Sequence, residues 1–472
     1  MLAPSLGFES ETSCSASDVE RYSAHMLLKE IGASGNETVQ QKNILVIGAG
    51  GLGCTCISFL AAQGCRRLGI VDGDVISLSN LTRQVLYSTS HVGEPKVESA
   101  QRRCTEINPN LQVVTYPVML ESRNAESIIS GYDIVCDCTD NLNARFLISD
   151  WCVLLGKPLV SAAAVRWEGH LTVYNYPYTS HARGLTRCAK PNAPTSDRSC
   201  WNHTSGCYRC LYPSSGQTDC SQNCSEAGVI GGLVGMLGSM QAIEVMKVAL
   251  EMKNGNCECV DLGQPIFRPK ECVLAGRMFY YNALQGSSRV FTLAARRNSC
   301  VLCGIGGIAE SIEHMKTQQK SKADIFEHAR TLLASLATCA LGQSPQADCL
   351  PVIEVRDLFH QLYTEKRECI LLDVRTAQEV EMCRLPLLSK KHALRCISMY
   401  VSTEEVSRKF EAIQAALKER ADLPIYVICR RGVRSAKVAH ELINTHHISN
   451  VFSVKGGLHA WREKVDGSFP HY

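Results

Sequence analysis

The sequence predicts an α/β protein built from a doubly wound parallel sheet followed by a second, smaller α/β domain. Three observations carry this. A buried strand, Asn43–Ile47, runs into the glycine turn Gly48-Ala-Gly-Gly-Leu-Gly53, a helix-capable run and a second apolar strand at Leu68–Val71, which together make a βαβ opening. A second strand-turn-helix pattern lies near the other end: Pro424–Ile428, then Cys429-Arg-Arg-Gly-Val-Arg-Ser435, then a helical AKVAHELI. At 472 residues the chain is about three times the usual domain length of roughly 150, so two or three cores are expected.

Taken in order, residues 1–20 have neither apolar periodicity nor a targeting pattern and read as a disordered N-terminus. Strands at Asp133–Cys136 and Pro158–Val160 extend the first sheet, and helix-like segments between them suggest winding on both faces up to about residue 250. Ile243, Met246 and Leu250 fall on one face of a helix there. Residues 175–206, rich in Ser, Thr, Asn, Pro and basic residues, read as a long surface loop. The first domain is assigned to 21–304 and residues 305–348 to a linker, in spite of weak helical periodicity around Ile325–Leu336. The second domain, 349–472, has central strands at Ile370–Leu372 and Ile425–Ile428.

Composition narrows the function classes. Lys+Arg 49 against Asp+Glu 46 leaves +3, which argues against a surface that coats nucleic acid and against an acidic tail. The 25 cysteines imply disulfides outside a cell, but thiol chemistry or metal binding inside one. The first twenty residues carry no secretory or organellar signature. The longest apolar stretch, Ala227–Gly238, is too short for a bilayer. The expectation is a soluble, cytosolic protein with reduced cysteines and no membrane or direct nucleic-acid contact. The sequon Asn202-His-Thr204 would then never meet the glycosylation machinery.

Gly48, Gly50 and Gly53 match G-x-G-x-x-G in a strand-turn-helix setting, where helix N-terminal amides can hold a phosphate. Asp72 ends the next strand, where a carboxylate accepts hydrogen bonds from a ribose. An NAD-dependent oxidoreductase fits equally well to this point. The residues that follow favour phosphoryl chemistry: Asp74, Ser79-Asn80-Leu81-Thr82-Arg83-Gln84, Lys96, and Cys138-Thr139-Asp140-Asn141. Cations balance the charge that develops as pyrophosphate leaves, and a carboxylate can hold magnesium. Any one of these residues alone is more readily a solvated surface charge; the ordered set is what counts.

The set G-x-G-G-L-G, D-G-D-x-x-x-x-S-N-L-x-R-Q, E-P-K and C-T-D-N resembles the Rossmann-like adenylation domain of enzymes that activate ubiquitin-like proteins, closest to the molybdopterin-biosynthesis type, over about Arg21–Gly304. The resemblance implies ATP binding by Gly51, Asp72, Ser79, Asn80, Leu81, Thr82, Arg83, Lys96, Asp140 and Asn141, with magnesium at Asp140. It also implies a substrate, a small β-grasp protein ending in Gly-Gly, whose C-terminal carboxylate attacks the α-phosphate. One departure stands out. Members usually begin R-Y-x-R-Q, the second arginine reaching a neighbouring subunit's ATP site, but here the run is Arg21-Tyr22-Ser23-Ala24-His25.

Two C-x-x-C pairs, Cys207/Cys210 and Cys300/Cys303, flank the far part of this domain as in a four-thiolate zinc knuckle. Spacing alone is weak in so cysteine-rich a chain, and free buried thiols are the alternative. The family resemblance places structural zinc at these four positions. By itself Cys224 reads as packing; in the relatives a cysteine at this C-x-x-[AG]-G-V position is proposed to form a thioester or disulfide with the activated partner, with Cys220 as a fallback here.

Cys429 is singled out by its own surroundings. It ends an apolar strand and opens a helix N-terminus among three arginines, a setting that favours thiolate over thiol and suits a persulfide, the alternative being a buried strand-end thiol. With Leu371-Leu-Asp-Val-Arg375 before it and Lys455-Gly-Gly-Leu-His-Ala-Trp461 after it, the segment resembles a rhodanese domain. Cysteine phosphatases use C-x5-R, but the sixth residue after Cys429 is Ser435, which favours sulfur transfer. The two domains together imply ATP- and Mg2+-dependent adenylation of a ubiquitin-like sulfur carrier, then transfer of sulfur from a Cys429 persulfide to give a thiocarboxylate. This would serve molybdenum-cofactor synthesis and tRNA wobble-uridine thiolation. They further imply a persulfide donor such as a cysteine desulfurase, and a homodimer. A catalytically weakened interaction protein remains the rival, because Ala24 and Arg434 both depart from the related fused enzymes.

Overall fold

A computed structural model describes residues 15–176, 205–213, 227–252, 272–340, 350–365, 367–383, 396–400 and 423–470. The chain divides into two compact units, Met1–Gly342 and Gln343–Tyr472.

In the first unit eight strands form one sheet: β1 (Asn43–Ile47), β2 (Arg67–Val71), β3 (Gln112–Tyr116), β4 (Ile134–Asp137), β5 (Leu159–Val165), β6 (Glu168–Tyr174), β7 (Arg277–Asn282) and β8 (Ser287–Thr292). Their order is β3-β2-β1-β4-β5-β6-β7-β8. The first five are parallel. The last three are added antiparallel. The parallel half carries the doubly wound signature, and its strand order reverses beside β1, where such sheets bind ligands. Alternation along β1 shows the three layers: Ile44 and Val46 join one core, Leu45 and Ile47 the other.

The sheet therefore continues well past residue 250. The segment 277–292 has no apolar alternation strong enough to announce strands, because β8 is exposed along its whole length.

Three further expectations give way. Residues 16–20, expected to be disordered, belong to a helix, Ala16–Met26, opened by a capping box between Ser15 and Asp18. The apolar run after Ala227 is part of a 21-residue helix, Gly231–Glu251, long and apolar enough by composition alone to cross a membrane. It lies instead against the Gly51–Gln63 helix, so closely that a Cβ on Gly238 would sit 2.1 Å from the Leu52 carbonyl oxygen. Its buried polar side chains also have protein partners: Gln241 donates to the Asp137 carbonyl at 2.9 Å, and Glu244 accepts the Leu274 amide at 2.9 Å. Of the three residues expected on one helix face, Ile243 is exposed, whereas Met246 and Leu250 are half-buried and pack against the first core. Finally, most of the assigned linker is helical. Ile308–Thr317 and Lys322–Ala340 bury Ile312, Ile325, Ala329 and Leu333 in the first unit's second core.

The second unit is a five-stranded parallel sheet of β9 (Val352–Ile353), β10 (Cys369–Asp373), β11 (Cys396–Tyr400), β12 (Ile425–Ile428) and β13 (Val451–Val454). The order is β11-β10-β12-β13-β9, with the expected strands β10 and β12 central. The Val433–Asn444 helix packs on one face through Val438, Ala439 and Leu442; Trp461, from the Gly457–Lys464 helix, fills the other core.

Candidate functional site

The first site sits at the carboxyl end of β1. Gly48 turns the chain with φ +96°, and a Cβ on Gly53 would lie 2.0 Å from the Gly48 carbonyl oxygen, so the turn folds back onto its own helix only with glycine there. Asp72, at the end of β2, closes this turn. One carboxylate oxygen accepts the Ala49 amide at 2.8 Å and the other the Asp74 amide at 2.8 Å. Burial pushes the Asp72 carboxyl above the ordinary aspartate range, against the pull of Lys96 and these two amides.

Lys96 is the counter-charge. Its side chain is 5% exposed, with Nζ 2.8 Å from Asp74 and 3.7 Å from Asp72. It begins the Lys96–Ile107 helix, an end where the helix dipole disfavours a cation, so the two carboxylates are what hold it. A buried lysine between two aspartates offers a phosphate a cation already stripped of water.

The motif from Ser79 to Arg83 forms a short 3-10 turn, Leu78–Asn80, and its exit. The Ser79 carbonyl accepts from Thr82 Oγ1 at 3.3 Å and from Arg83 Nη1 at 3.2 Å, while Leu81 packs on the core. Gly231 approaches this turn so nearly that a Cβ would lie 2.4 Å from the Thr82 carbonyl oxygen. Gly51 is equally tight, its Cβ position 2.7 Å from Val234. Asp140 is exposed, and Asn141 caps the Leu142–Leu154 helix by accepting the Ala144 amide at 2.8 Å.

Sequence reasoning passes over the group that holds this last loop. Buried Arg145 donates to the Ala162 carbonyl at 2.9 Å and pairs with Asp137 at 3.4 Å. Asp137 in turn accepts Ser161 Oγ at 2.8 Å and Thr139 Oγ1 at 2.6 Å. The available signal was a lone arginine at the head of the apolar run FLISDWCVL.

Cys207, Cys210, Cys300 and Cys303 converge, all four Sγ atoms lying within 4.8 Å of one another. The separations of 3.8 Å for Cys207–Cys210, 3.7 Å for Cys207–Cys300, 3.4 Å for Cys210–Cys303 and 3.5 Å for Cys207–Cys303 lie at or slightly below the spacing of about 3.8 Å that a tetrahedral ion with Zn–S bonds of roughly 2.3 Å demands. The thiols therefore fit zinc, with no side left for substrate. Between the first two ligands, Arg209 clamps Asp150 through two 2.8 Å bonds and ties the cluster to the Leu142–Leu154 helix.

The sulfur site lies in the second unit. Cys429 follows β12 and is 1% exposed. The amides of Gly432 and Ser435 point at Sγ from 3.1 and 3.4 Å. Gly432 caps the following helix with φ +89°, and a Cβ there would lie 2.7 Å from the Gly456 amide nitrogen. Gly457 lies closer still to the loop, its Cβ position 2.3 Å from the Cys429 carbonyl oxygen. The K-G-G motif therefore serves to let two backbones touch. Of the three arginines, Arg434 is ion-paired with Glu379 at 2.5 Å, and Arg430 donates to His459 at 3.3 Å. Backbone amides, more than guanidinium groups, address the thiol.

Residues 22–302 match the model of the ThiF family, and residues 356–464 that of the rhodanese-like domain. Curated relatives named adenylyltransferase and sulfurtransferase MOCS3 extend over almost the whole chain. The Anopheles gambiae protein is 32% identical, covering 96% of this chain and 89% of its own length. One from Zea mays is 34% identical over 99% of this chain and 83% of its own, and that of Bos taurus 34% over 97% and 88%. The chain belongs to the MOCS3 family.

As a MOCS3-family member it is an enzyme, an adenylyltransferase and sulfurtransferase, and the two sites divide that work between the units. Cys224 and Cys220 fall outside the described residues, as do 177–204 of the long loop. Arg21, the cation next to the family departure at Ala24, donates to the Ile107 carbonyl of its own chain at 3.1 Å.

Proposed function

We propose that the first unit adenylates the C-terminal glycine of a ubiquitin-like sulfur carrier ending in Gly-Gly and that Cys429 then supplies sulfur as a persulfide, yielding a thiocarboxylate for molybdenum-cofactor synthesis and tRNA wobble-uridine 2-thiolation. One observation carries the reading: a single chain holds both a desolvated lysine–carboxylate cradle at a glycine turn and a buried thiol ringed by amides.

The glycine turn and Lys96 receive the triphosphate of ATP, Arg83 meets the phosphates from the facing turn, and exposed Asp140 is open to hydrated Mg2+. The carrier carboxylate attacks the α-phosphorus and pyrophosphate leaves, which turns a poor electrophile into an acyl-adenylate. A persulfide on Cys429 attacks that carbonyl and AMP departs. The resulting acyl disulfide is cut by a second thiol, for which Cys224 is assigned, releasing the thiocarboxylate and leaving a Cys429–Cys224 disulfide for an external thiol to reduce.

A cysteine desulfurase is the class of donor that would load Cys429. Exposed Val75, Leu78 and Val85, near the cradle in sequence, support a homodimer that covers them. The thiol chemistry suits the reducing cytosol. ATP–pyrophosphate exchange with a Gly-Gly-ended carrier, followed by mass analysis of the carrier, tests the scheme. Exchange with no thiocarboxylate, in the presence of a persulfide donor, would overturn the second half; no exchange would overturn the first.

A further inference from the structure

Beside Cys429 the second unit contains a pair of buried serines, Ser435 reaching the sulfur directly and Ser453 reaching it through Ser435. Ser435 is 0% exposed and Ser453 2% exposed. Ser453 Oγ donates to Ser435 Oγ at 3.0 Å; Ser435 Oγ donates to the Gly432 carbonyl at 3.0 Å and lies 3.5 Å from Cys429 Sγ, placed to accept the thiol proton. Ser453 is on β13, whose preceding core-facing neighbour Val451 packs in the same layer as Val427 and Val438. A hydroxyl at such a position is costly unless it is bonded, and the bond it makes leads to the sulfur loop.

Each hydroxyl has one proton to give. With Cys429 as a thiol, Ser435 accepts from the sulfur and donates to Gly432. Once Cys429 is a thiolate the sulfur has no proton to offer, and the Ser435 hydroxyl can turn from the Gly432 carbonyl to the sulfur. Ser453 continues to donate to Ser435, which polarises the Ser435 O–H and leaves its proton no need to point elsewhere. The thiolate is the form produced each time sulfur is discharged.

We infer that Ser453 is a positioning residue for sulfur discharge, acting through Ser435 to stabilise the Cys429 thiolate as it leaves the persulfide. This rests on the reading of Cys429 as the persulfide carrier. With cyanide as acceptor, carbon bonds to the outer sulfur of Cys429–S–SH and the S–S bond breaks. Its electron pair stays on Sγ as thiolate, and the outer sulfur leaves as thiocyanate, its proton going to water. Loading from inorganic polysulfide runs the other way: Sγ thiolate takes a terminal SH, and the shortened polysulfide dianion departs.

The experiment uses the full chain, loaded with inorganic polysulfide and discharged by cyanide in a single turnover, with the Cys429 peptide followed by mass spectrometry. Ser453→Ala is expected to load to the same extent and discharge about tenfold more slowly, the cost of one hydrogen bond to a developing charge. Ser435→Ala should be slower again, and Ser453→Thr should restore the wild-type rate because it returns the hydroxyl. A Ser453→Ala chain that discharges at the wild-type rate, or a loss that threonine does not repair, overturns the inference. A wild-type chain that carries no persulfide at Cys429 overturns the underlying reading instead.

Discussion

The nucleotide cradle and the sulfur loop are built on the same local plan and solve opposite problems. Each lies where a parallel strand, β1 or β12, turns into a helix, and each turn contains a glycine of positive φ, Gly48 at +96° and Gly432 at +89°. Both aim backbone amides at an anion. At the cradle the anion arrives from solution already multiply charged, so the turn is backed by a cation, Lys96, with Asp72 and Asp74 keeping it in place. At the sulfur loop the anion is made on the protein. Cys429 is 1% exposed, and two amides and a serine suffice because the charge appears only during transfer. Thus a site that captures a charged substrate contains formal charges, whereas one that generates a charge presents prealigned dipoles.

This contrast is easiest to break at Lys96. Lys96→Ala removes the cradle's cation and leaves two aspartates facing each other, so ATP–pyrophosphate exchange should fall by about 10²–10³-fold. Polysulfide loading of Cys429 in the same chain should be unchanged. Cys429→Ala is the reciprocal variant, with normal exchange and no thiocarboxylate. A Lys96→Ala chain that also lost persulfide loading would mean that the two sites do not divide the work by unit.

Metal removal comes next. Chelation, or Cys300→Ser, should release one zinc per chain and lower the melting temperature of the first unit, because the four thiols and the Arg209–Asp150 clamp fasten the helix that Asn141 begins. Exchange should weaken along with it, as Asp140 loses its support, while the second unit's own melting transition stays where it was. A full-strength cradle in metal-free protein would show that the knuckle is remote from the nucleotide in energy as well as in sequence.

How far these features were legible in advance depends on whether a residue's job is local. Gly48 and Gly53 act within a few residues of their own turn, and Asp72 acts from the fixed position at the end of the next strand, so spacing exposes them. The two C-x-x-C pairs were visible as pairs, but only the fold brings residue 207 to residue 300. Arg145, Gln241 and Ser453 were invisible for the same reason: each is a single polar residue in an apolar stretch, and its partner is supplied by tertiary packing. The β7–β8 hairpin was missed for the opposite reason, since half-buried β7 and edge strand β8, exposed throughout, carry no alternating burial pattern to read. The helices from 308 to 340 were read as a linker because their buried residues are few and widely spaced among lysines and glutamines.

A smaller effect is expected at Gly432. Gly432→Ala must hold a side chain at φ +89° and press its Cβ against the Gly456 amide, at a cost of about 1–3 kcal/mol in the second unit. Calorimetry should show that transition moving down alone. If Gly432→Ala keeps its melting point and its discharge rate, the loop is looser than its contacts imply.

The smallest effect is also the one in which the two sites part most cleanly, because their key carboxyls shift in opposite directions. Burial raises Asp72 above its ordinary value of 3.8, so folding disfavours its charged form. Its contribution to stability is present below that value and is lost as pH rises through the raised one. Burial also pushes Glu379 upward, but hydrogen bonds from Arg434 and Thr376 outweigh it and leave the carboxyl below its ordinary 4.5. Its contribution is therefore present above 4.5 and is lost as pH falls through the depressed value. Acidification from neutrality should accordingly relieve the first unit at Asp72 before it costs the second unit at Glu379. In a two-transition melt followed downward in pH, Asp72→Asn should flatten only the first unit's response and Glu379→Gln only the second's. Parallel responses in both variants would mean that the charge at each site is set by something other than these two carboxyls.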